Sequence, residues 1–354
     1  MITVFTPSYA DDRNTNAQNL TVKEVVARMD PSRFRVVMLG AGVSDPRIAG
    51  RSNTRVLPWR KHGNTARILL HLLTHVPDAY FFPREGPLDA AFLAARASLR
   101  LRSALVTYVV SGGLSEQSDR PILMRAIREG DVVAANSVHM SRTVESLGGR
   151  DVRTVYDGID RRYYYPSGER KIQQMRLTVL FAGSFRHYKR ADLVVREAAK
   201  HPEVDYRLAG AGEEESACRQ LAESIGCNNV NFLGHLTALQ LGEEMRRADI
   251  LFFPSEIEGH PQVLGQAAAC GLPCVARNSY QPDYVVDGMT GVLAGSDGQL
   301  GEALSRLIAE PDLRRQMSAE AAKHAAKFEW DRVTGQWQEI MECAIERRSQ
   351  SRRK

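Results

Sequence analysis

The sequence predicts an α/β protein built from two doubly wound domains, and three observations support this. Short runs of β-branched and apolar residues alternate with amphipathic helical stretches, as is typical of parallel βαβ units. This series begins twice, at ITVFTP and again at LTVLFAGS, on either side of the polar stretch PSGERKIQQM. The chain of 354 residues is also too long for one ordinary hydrophobic core.

The first series predicts a domain over residues 1–165. ITVFTP reads as a strand, and TVKEVVARM reads as a helix because Val22, Val25, Val26 and Met29 fall at i, i+3, i+4 and i+7. The segment RFRVVML then completes one βαβ unit. Further strands of the same sheet are predicted at SALVTYVVS, DVVAANS and DVRTVYDGID.

The second series predicts a domain over residues 166–325. Its strands are expected at LTVLFAGS, DYRLAGAG, VNFLGH, DILFFPS and PCVAR, with helices between them. Residues 299–347 read as strongly helical, with an interruption at FEW, residues 328–330. We therefore expect residues 326–354 to form a C-terminal helix, long enough to lie across both domains, followed by a basic tail.

Composition limits the cellular setting and the partners. No apolar run approaches the roughly 20 residues that span a bilayer, and MITVFTPSY enters a strand without a basic leader, so we predict a cytoplasmic protein. The net charge of +5 suits acidic ligands or an anionic membrane surface. The amphipathic stretch WRKHGNTARILLHLL either packs on the sheet or makes peripheral contact with the inner face of a membrane. No aromatic residues interleave the basic stretches, which argues against a nucleic-acid partner.

The cysteine and histidine patterns do not predict a metal centre. The five cysteines lack framework spacing, and Cys270 and Cys274 are better interpreted as small buried residues than as a metal pair. HLLTH, residues 71–75, has the histidine spacing of a zinc helix but leucine where a catalytic glutamate would stand. We expect neither a metal nor another cofactor.

Two glycine-rich turns, LGAGVSD and AGAGEEE, raise the alternative of a dinucleotide site. Each carries G-x-G after a predicted strand, but Asp45 and Glu215 occupy the position of the third glycine. A carboxylate there would repel a pyrophosphate. A tight strand-to-helix turn is therefore favoured for both.

The stretch EIEGHPQVLGQ, residues 256–266, predicts an anion site at the start of a helix. Pro261 suits the first helical position, and Gly259 lets a ligand approach the backbone. Gln266 is predicted about two turns beyond Glu258 and close to the same face. A ligand with hydroxyl groups and a diphosphate could contact both residues, although an acid that only complements the helix dipole explains Glu258 equally well.

The stretch FAGSFRHYKRAD, residues 181–192, predicts a phosphate-binding loop. A strand ends in Gly183 and Ser184, and the cations Arg186, Lys189 and Arg190 follow before a helix. Arginine can bond two phosphate oxygens at once, and lysine acts as a point charge. A solvated basic loop is the alternative, but ligands of open α/β sheets bind at the carboxyl ends of strands, which favours the functional interpretation.

These motifs resemble those of a known family. FAGSFRHYKRAD, RLAGAGEE, VNFLGHL, ADILFFPSEIEGHPQVLGQAAACGLPCVA and VVDGMTGVL follow one another in the order and spacing of the donor-binding domain of glycosyltransferase family 4. SVHMSRTVESLGGRDVRTVYDGID resembles the end of that family's first domain. The resemblance implies the GT-B fold: two Rossmann-like domains facing a central cleft, with the last helix crossing back to the first domain.

The resemblance also implies roles for individual residues. Lys189 matches the lysine that grips the donor diphosphate, and Glu258 matches the acid that contacts the transferred sugar. Gln266 stands where the family has the acid that holds the ribose, and an amide accepts hydrogen bonds more weakly than a carboxylate. Ser184 replaces the usual arginine of the phosphate loop, and Arg186 is the predicted substitute for that charge. The predicted donor site further includes Gly183, His235, Gly259, His260, Pro261, Gln262, Val263 and Leu264.

The first domain departs further from the family pattern. A polar segment, residues 8–20, replaces the glycine-rich loop after strand one, and we expect Thr15, Asn16 or Asn19 to bond phosphate or acceptor hydroxyl groups. No histidine stands near TYVVSGG, where the family often has one, so the backbone at Gly112 is expected to approach the donor sugar. Arg84 and Glu85 in PREGP are candidate acceptor contacts, with a surface ion pair as the alternative.

The expected activity is transfer of a hexose-type sugar from a nucleoside diphosphate donor to an acceptor hydroxyl, with retention of anomeric configuration. The acceptor would be a glycan, a glycolipid or a small molecule. No D-x-D pair occurs in the sequence, so no metal is expected on the diphosphate, and the departing phosphate would take the acceptor proton. The alternatives are a non-catalytic subunit that binds sugar nucleotides and an epimerase or phosphorylase of the same fold.

Overall fold

The computed structural model describes residues 1–11, 17–60, 62–81, 84–110, 114, 119–167 and 176–352. These residues form two compact units. Unit 1 comprises Met1–Gly158 together with Trp330–Lys354, and unit 2 comprises Ile159–Glu329. Each unit has one parallel sheet with helices, so the predicted α/β class with two Rossmann-like domains is confirmed.

In the described part of unit 1, parallel strands form one sheet. They are β1 (Ile2–Tyr9), β2 (Phe34–Gly40), β3 (Thr54–Pro58), β4 (Ala79–Phe81), β5 (Ala104–Val109), β6 (Val132–Ala135) and β7 (Val152–Thr154). Their order in the sheet is β3-β2-β1-β4-β5-β6-β7. The helices along this part of the chain are α1 (Ala17–Arg28), α2 (Pro46–Ala49), α3 (Asn64–Thr74), α4 (Pro87–Ser98), α5 (Pro121–Glu129) and α6 (Val138–Ser146).

The core of unit 1 explains why these segments fold together. The four periodic apolar residues of the first predicted helix, Val22, Val25, Val26 and Met29, are all buried against the sheet. The C-terminal helix Trp330–Ser351 contributes Trp337 to the same cluster, and this indole contacts the ring of Tyr108 edge-on with centroids 4.8 Å apart. The end of the chain is therefore an integral part of unit 1.

In unit 2, the strands are again parallel and begin with the second predicted series. They are β8 (Thr178–Ala182), β9 (Asp205–Ala209), β10 (Val230–Gly234), β11 (Ile250–Phe253), β12 (Cys274–Arg277) and β13 (Gly291–Ala294). Their order is β10-β9-β8-β11-β12-β13. The helices are α7 (Ala191–Lys200), α8 (Glu215–Ser224), α9 (Ala238–Arg247), α10 (Gln262–Ala269), α11 (Asp297–Ala309) and α12 (Pro311–Ala325).

The strand order of unit 2 determines which loops meet at the carboxyl edge of its sheet. The chain builds outward from β8 through β9 to β10, then returns to the other side of β8 with β11. Loops that follow β8 and β11 therefore leave the sheet side by side, at the point where the direction of winding reverses. Ligands of open α/β sheets bind at this point.

The interruption predicted at FEW occurs where the chain passes from unit 2 to unit 1. A 3₁₀ turn, Ala326–Phe328, follows α12, and the C-terminal helix begins at Trp330. Compact unit 2 begins at Ile159 and ends at Glu329, whereas the sequence suggested boundaries at residues 166 and 325. Among the described helices, none is both long and apolar enough to cross a membrane.

Candidate functional site

The loops after β8 and β11 meet at the carboxyl edge of unit 2. The first loop contains a 3₁₀ turn, His187–Lys189, and the second leads into α10. The carbonyl oxygen of Tyr188 accepts hydrogen bonds from the backbone N–H of Glu256 at 2.8 Å and from the Ser255 hydroxyl at 3.3 Å. These bonds fix the predicted phosphate loop against the predicted sugar-contact segment.

Lys189 and Glu258 form an ion pair between these two loops. The distance from Lys189 Nζ to Glu258 Oε1 is 2.5 Å, and the two side chains are 14% and 11% exposed. The lysine ammonium also lies 5.3 Å from the ring centroid of Phe253, the last residue of β11. Two residues separated by 69 positions in the chain thus share one partly enclosed, charged site.

Within the phosphate loop, Arg186 carries a positive charge that no described side chain neutralises. Its side chain is exposed and has no hydrogen bond or ion pair with any residue that the structure describes. Ser184 and Gly183 precede it and are half-buried, and the backbone N–H of Arg186 bonds the carbonyl oxygen of Ser184 at 2.9 Å. Arg186 can therefore reorient toward an anion without breaking an existing contact.

Arg190 does not belong to the phosphate cradle, contrary to the sequence-based interpretation. Its guanidinium pairs with Glu256 at 2.6 Å, with Asp297 at 2.9 Å and with Asp192 at 3.1 Å. Burial by itself would lower the pKa of Arg190, but the hydrogen bonds that it donates to Asp192, Glu256 and Asp297 outweigh burial and raise the pKa. Because three carboxylates already surround it, Arg190 holds the loop in place and leaves little charge for a ligand.

Asp297 connects this cluster to the buried Arg277. Arg277 pairs with Asp297 and donates to the carbonyl oxygen of Pro254 at 3.0 Å. Burial would raise the pKa of Asp297, but hydrogen bonds from Arg277 and Arg190 lower it below its usual value. Arg190, whose backbone has a positive φ, is thus held by Asp297 at the start of α11, and Asp297 is held in turn by Arg277 of β12. Neither contact could be read from spacing in the sequence.

The glycine-rich turn AGAG supports the phosphate loop from behind. The backbone N–H of Phe185 bonds the carbonyl oxygen of Ala211 at 3.0 Å, and that of Glu214 bonds the carbonyl oxygen of Phe185 at 2.9 Å. A Cβ atom added at Gly210 would lie 1.8 Å from the carbonyl oxygen of Gly183. The turn therefore needs glycine for close backbone contact, which agrees with the tight-turn interpretation.

The start of α10 differs from the sequence-based expectation. The helix begins at Gln262, and Pro261 is the capping residue with φ −73° and ψ 96°, not the first helical residue. Glu258 consequently lies in the preceding loop, so the two-turn relation between Glu258 and Gln266 along one helix face is wrong. Gln266 lies on the second turn of α10 and is half-buried.

Residues around the start of α10 divide into exposed and packed positions. Gly259 is exposed, Gln262 and Val263 are half-buried, and the first-turn N–H groups of a helix point toward its N-terminal end. Leu264, by contrast, is 1% exposed and its N–H bonds the Pro261 carbonyl oxygen at 3.1 Å, so its side chain belongs to the core. His235 follows β10 and is exposed.

Two tyrosines of unit 2 were not identified from the sequence, one beside His260 and one close to the charge of Glu258. The ring of Tyr284 packs against that of His260 with centroids 4.2 Å apart and so fixes the imidazole beside α10. Tyr280 is 8% exposed, and its hydroxyl has no hydrogen-bond partner among the described residues. Burial, followed by the nearby charge of Glu258, raises the pKa of Tyr280, which stays a neutral donor. No sequence motif singles out either tyrosine.

Of the four candidate residues that the sequence suggested around the loops after β1 and β5, only Asn19 lies in the described part of unit 1. Thr15, Asn16 and Gly112 lie outside the described residues. Asn19 is fully buried, and its Oδ1 accepts the backbone N–H of Tyr9 at 2.9 Å, so this amide braces the end of β1 instead of facing a ligand.

Arg84 and Glu85 follow β4 in the chain, and each contacts a different residue of unit 1. Glu85 pairs with Arg120, whose Nε lies 3.1 Å from Oε2, and the Arg84 guanidinium lies 5.0 Å from the ring centroid of Tyr9. Glu85 therefore does form an ion pair, though not with its neighbour Arg84. Their predicted acceptor contacts stay a prediction.

The described residues contain no group of three or more His, Cys, Asp or Glu side chains placed to hold a metal ion. Cys270 and Cys274 are buried and form no disulfide, and burial raises the pKa of the Cys270 thiol to about 11 and that of Cys274 to about 12. Both thiols therefore stay protonated at neutral pH, as expected for small core residues.

The two Rossmann-like units have the GT-B fold of glycosyltransferases. Two solved structures share this fold over 97% of the chain. Sucrose-phosphate synthase from Thermosynechococcus elongatus matches with a TM-score of 0.76 at 17% identity, over 98% of its own chain. HepE from Anabaena, solved in complex with UDP, matches with a TM-score of 0.78 at 18% identity, over 100% of its chain.

Sequence comparisons assign unit 2 more closely. Residues 167–324 match the family model for glycosyl transferases group 1. A D-inositol 3-phosphate glycosyltransferase of Mycobacterium bovis is 33% identical over 232 residues, which cover 59% of this chain and 48% of the relative. The chain thus spans about half the length of the curated relatives it matches. The match to the glycosyl transferases group 1 model covers nearly all of unit 2.

Proposed function

We propose that this protein is a retaining glycosyltransferase that moves a hexose-type sugar from a nucleoside diphosphate to an acceptor hydroxyl without a metal. The observation that carries the proposal is the meeting of Lys189 and Glu258, at 2.5 Å, where the winding of unit 2 reverses. The group 1 domain at residues 167–324 supports it, as does the likeness to HepE, whose solved structures hold UDP and UDP-glucose.

In this proposal the donor diphosphate lies between the phosphate loop and the start of α10. Lys189 supplies a fixed charge, and the unpaired Arg186 folds onto the phosphate oxygens. Gly183 and Ser184 allow the loop to approach closely, and the first-turn N–H groups of α10 add a partial positive charge. Such preorganised groups stabilise the negative charge that develops on a leaving diphosphate.

The Lys189–Glu258 pair gives the site a defined state before the donor binds. Each charge neutralises the other while both are largely shielded from water, which avoids the cost of an isolated buried ion. A diphosphate brings more negative charge than one carboxylate and so competes for the lysine. Glu258 is then released to accept hydrogen bonds from the sugar hydroxyls, which couples diphosphate binding to sugar recognition.

The reaction itself exchanges one bond at the anomeric carbon for another. The bond to the diphosphate oxygen breaks, the bond to the acceptor oxygen forms, and the acceptor proton passes to a phosphate oxygen of the leaving group. Attack and departure then occur on the same face of the sugar, which gives retention. The acceptor is a hydroxyl of a glycan, a glycolipid or a small molecule.

Release of nucleoside diphosphate from a panel of nucleotide sugars tests the proposal. We expect release that needs both the protein and an acceptor, that persists in EDTA, and whose glycoside product keeps the donor's anomeric configuration by NMR. A thermal shift without release would instead identify a sugar-nucleotide-binding subunit. Conversion of the sugar without an acceptor would identify an epimerase, and a requirement for inorganic phosphate a phosphorylase. Loss of activity in EDTA would overturn metal independence.

Replacing Gln266 with glutamate should tighten donor binding if this residue holds the ribose. Hydrogen bonds to a charged acceptor contribute about 1.5–3 kcal/mol, against about 1 kcal/mol for neutral ones, so the dissociation constant should fall by about twofold to thirtyfold. Calorimetric titration with the best nucleotide of the panel measures this. Gln220→Glu, an exposed site on α8, controls for the added charge. Equal affinity in the two variants would remove Gln266 from the ribose site.

A further inference from the structure

Unit 1 contains a cavity of about 400 Å³ at the amino ends of its first strands. The parallel register pairs Thr3 with Arg35 and Val37 with Arg55, so these residues of β1, β2 and β3 share one face of the sheet. The carboxyl end of α3 closes the other side of the cavity with His71 and His75. The volume is within the range of small-molecule pockets.

The lining of this cavity is strongly cationic. Arg35, Arg55 and Arg102 line it together with the two histidines, whose rings are stacked with centroids 4.7 Å apart. None of the described lining residues is Asp or Glu. None of the three arginines has an ion pair or a side-chain hydrogen bond with a described residue, whereas Arg47, Arg96 and Arg120 of the same unit each pair with a carboxylate.

Neighbouring negative charge does not cancel these arginines. The carboxyl end of α3 carries about half an elementary negative charge, and the Thr74 hydroxyl already donates to the Leu70 carbonyl oxygen at 2.9 Å. Asp78 follows the lining residue Pro77, but its Oδ2 accepts the Thr3 backbone N–H at 2.8 Å. The three arginines carry three positive charges. Subtracting one full charge for Asp78 and about half a charge for the helix end leaves a net positive charge of roughly 1.5.

His71 lies in the same electropositive surroundings. Burial, followed by the charges of Arg55, His75 and Arg67, lowers the pKa of His71. A neutral imidazole can donate one N–H and gains a proton readily when an anion arrives. The cavity therefore combines rigid guanidinium donors with side chains whose charge can adapt to a ligand.

We propose that this cavity is a binding site for the phosphate group of a phosphorylated molecule, separate from the donor site of unit 2. Arginine forks bond two oxygens of a phosphate at once, and three of them with threonine hydroxyls match an anion better than a sugar or an apolar group. The site lies at the amino ends of the strands, whereas Arg84 and Glu85 follow β4 at the opposite edge of the same sheet. It does not depend on the proposed transferase activity.

Titration of the full chain with sodium pyrophosphate, followed through the imidazole NMR signals, tests this site. We expect the His71 and His75 signals to shift saturably, both in the unchanged protein and in Lys189→Ala, which removes diphosphate binding in unit 2. In Arg35→Gln/Arg55→Gln the apparent dissociation constant should rise at least about tenfold. All four substituted or observed side chains are at least partly exposed, so folding should persist, and a thermal melt checks this.

A matched variant and a salt control make the result decisive. Arg142→Gln/Arg332→Gln removes the same charge from exposed positions of unit 1 that do not line the cavity, and it should bind like the unchanged protein. Equal weakening in both double variants, or histidine shifts reproduced by sodium chloride of the same ionic strength, would overturn the proposal.

Vesicles distinguish the two sources of a phosphate group. Sedimentation with phosphatidylglycerol vesicles, competed by pyrophosphate and lost in Arg35→Gln/Arg55→Gln, would assign the site to a lipid headgroup. Pyrophosphate binding without sedimentation would assign it to a soluble phosphorylated molecule. Absence of both kinds of binding would refute the site.

Discussion

Replacing Lys189 with alanine should abolish the thermal shift that a nucleoside diphosphate produces. A ligand at a hundred times its dissociation constant stabilises the folded protein by about 2.7 kcal/mol. Loss of one enclosed charged partner costs about 2–5 kcal/mol of binding free energy, so the stabilisation at the same ligand concentration should fall by about two thirds at the lower limit and vanish at the upper limit. UDP, the nucleotide held by HepE, is the first probe to use in differential scanning calorimetry.

The ion pair with Glu258 complicates this experiment, because Lys189→Ala also leaves the carboxylate without its partner. Both side chains are mostly shielded, so the unliganded melting temperature should fall somewhat. Glu258→Gln breaks the same pair from the other side but spares the lysine. It should therefore retain the UDP shift, and it should lose most of the additional response to an intact nucleotide sugar.

The comparison of these two variants decides the role of Lys189. If the lysine acts only as a structural partner of Glu258, both variants will respond to UDP in the same way. Lys323→Ala controls for loss of a surface ion pair, because Lys323 pairs with Glu320 on α12 at 2.5 Å and is 72% exposed. A full UDP shift in Lys189→Ala would remove the diphosphate role on which the proposed function rests.

The sequence was sufficient to predict the fold because each strand or helix shows its own apolar periodicity, which can be recognised without knowing its neighbours in space. The repeated strand and helix pattern predicted two parallel sheets, and the break at FEW matched the start of the helix at Trp330. Short strands were harder to find. The segment Gly291–Ala294 has only four residues, too few to show a periodic pattern, and its pairing with β12 identifies it as a strand.

The site was predictable only in part, for a physical reason. Basic and acidic residues near strand ends could be recognised locally, but their partners depend on strand order. The proximity of Lys189 and Glu258 requires that β8 and β11 be neighbours, and the engagement of Arg190 by Asp297 depends on where α11 begins. Spacing along the chain contains neither fact. For the same reason, the expected alignment of Glu258 with Gln266 failed when the helix was found to start at Gln262.

Replacing Gly210 with alanine should disorganise the phosphate loop, although residue 210 itself makes no proposed ligand contact. Its φ of +138° is one that L side chains rarely adopt, and the new Cβ would lie 1.8 Å from the carbonyl oxygen of Gly183. That oxygen belongs to the backbone and cannot rotate away. Since strained φ values alone cost about 1–3 kcal/mol, we expect a larger loss of unfolding free energy, together with loss of the UDP-induced shift.

Gly226→Ala isolates the backbone contribution, because Gly226 also has a positive φ, +66°, but a Cβ there would meet nothing within 4 Å. This control should lose about 1–2 kcal/mol of unfolding free energy and keep its response to UDP. Urea denaturation of both variants, with and without UDP, separates the two effects. If Gly210→Ala lost no more stability than Gly226→Ala and bound UDP normally, the carbonyl of Gly183 could move freely. The shape of the phosphate loop would then depend on the Arg190 ion pairs and on the hydrogen bonds of Tyr188 and Phe185.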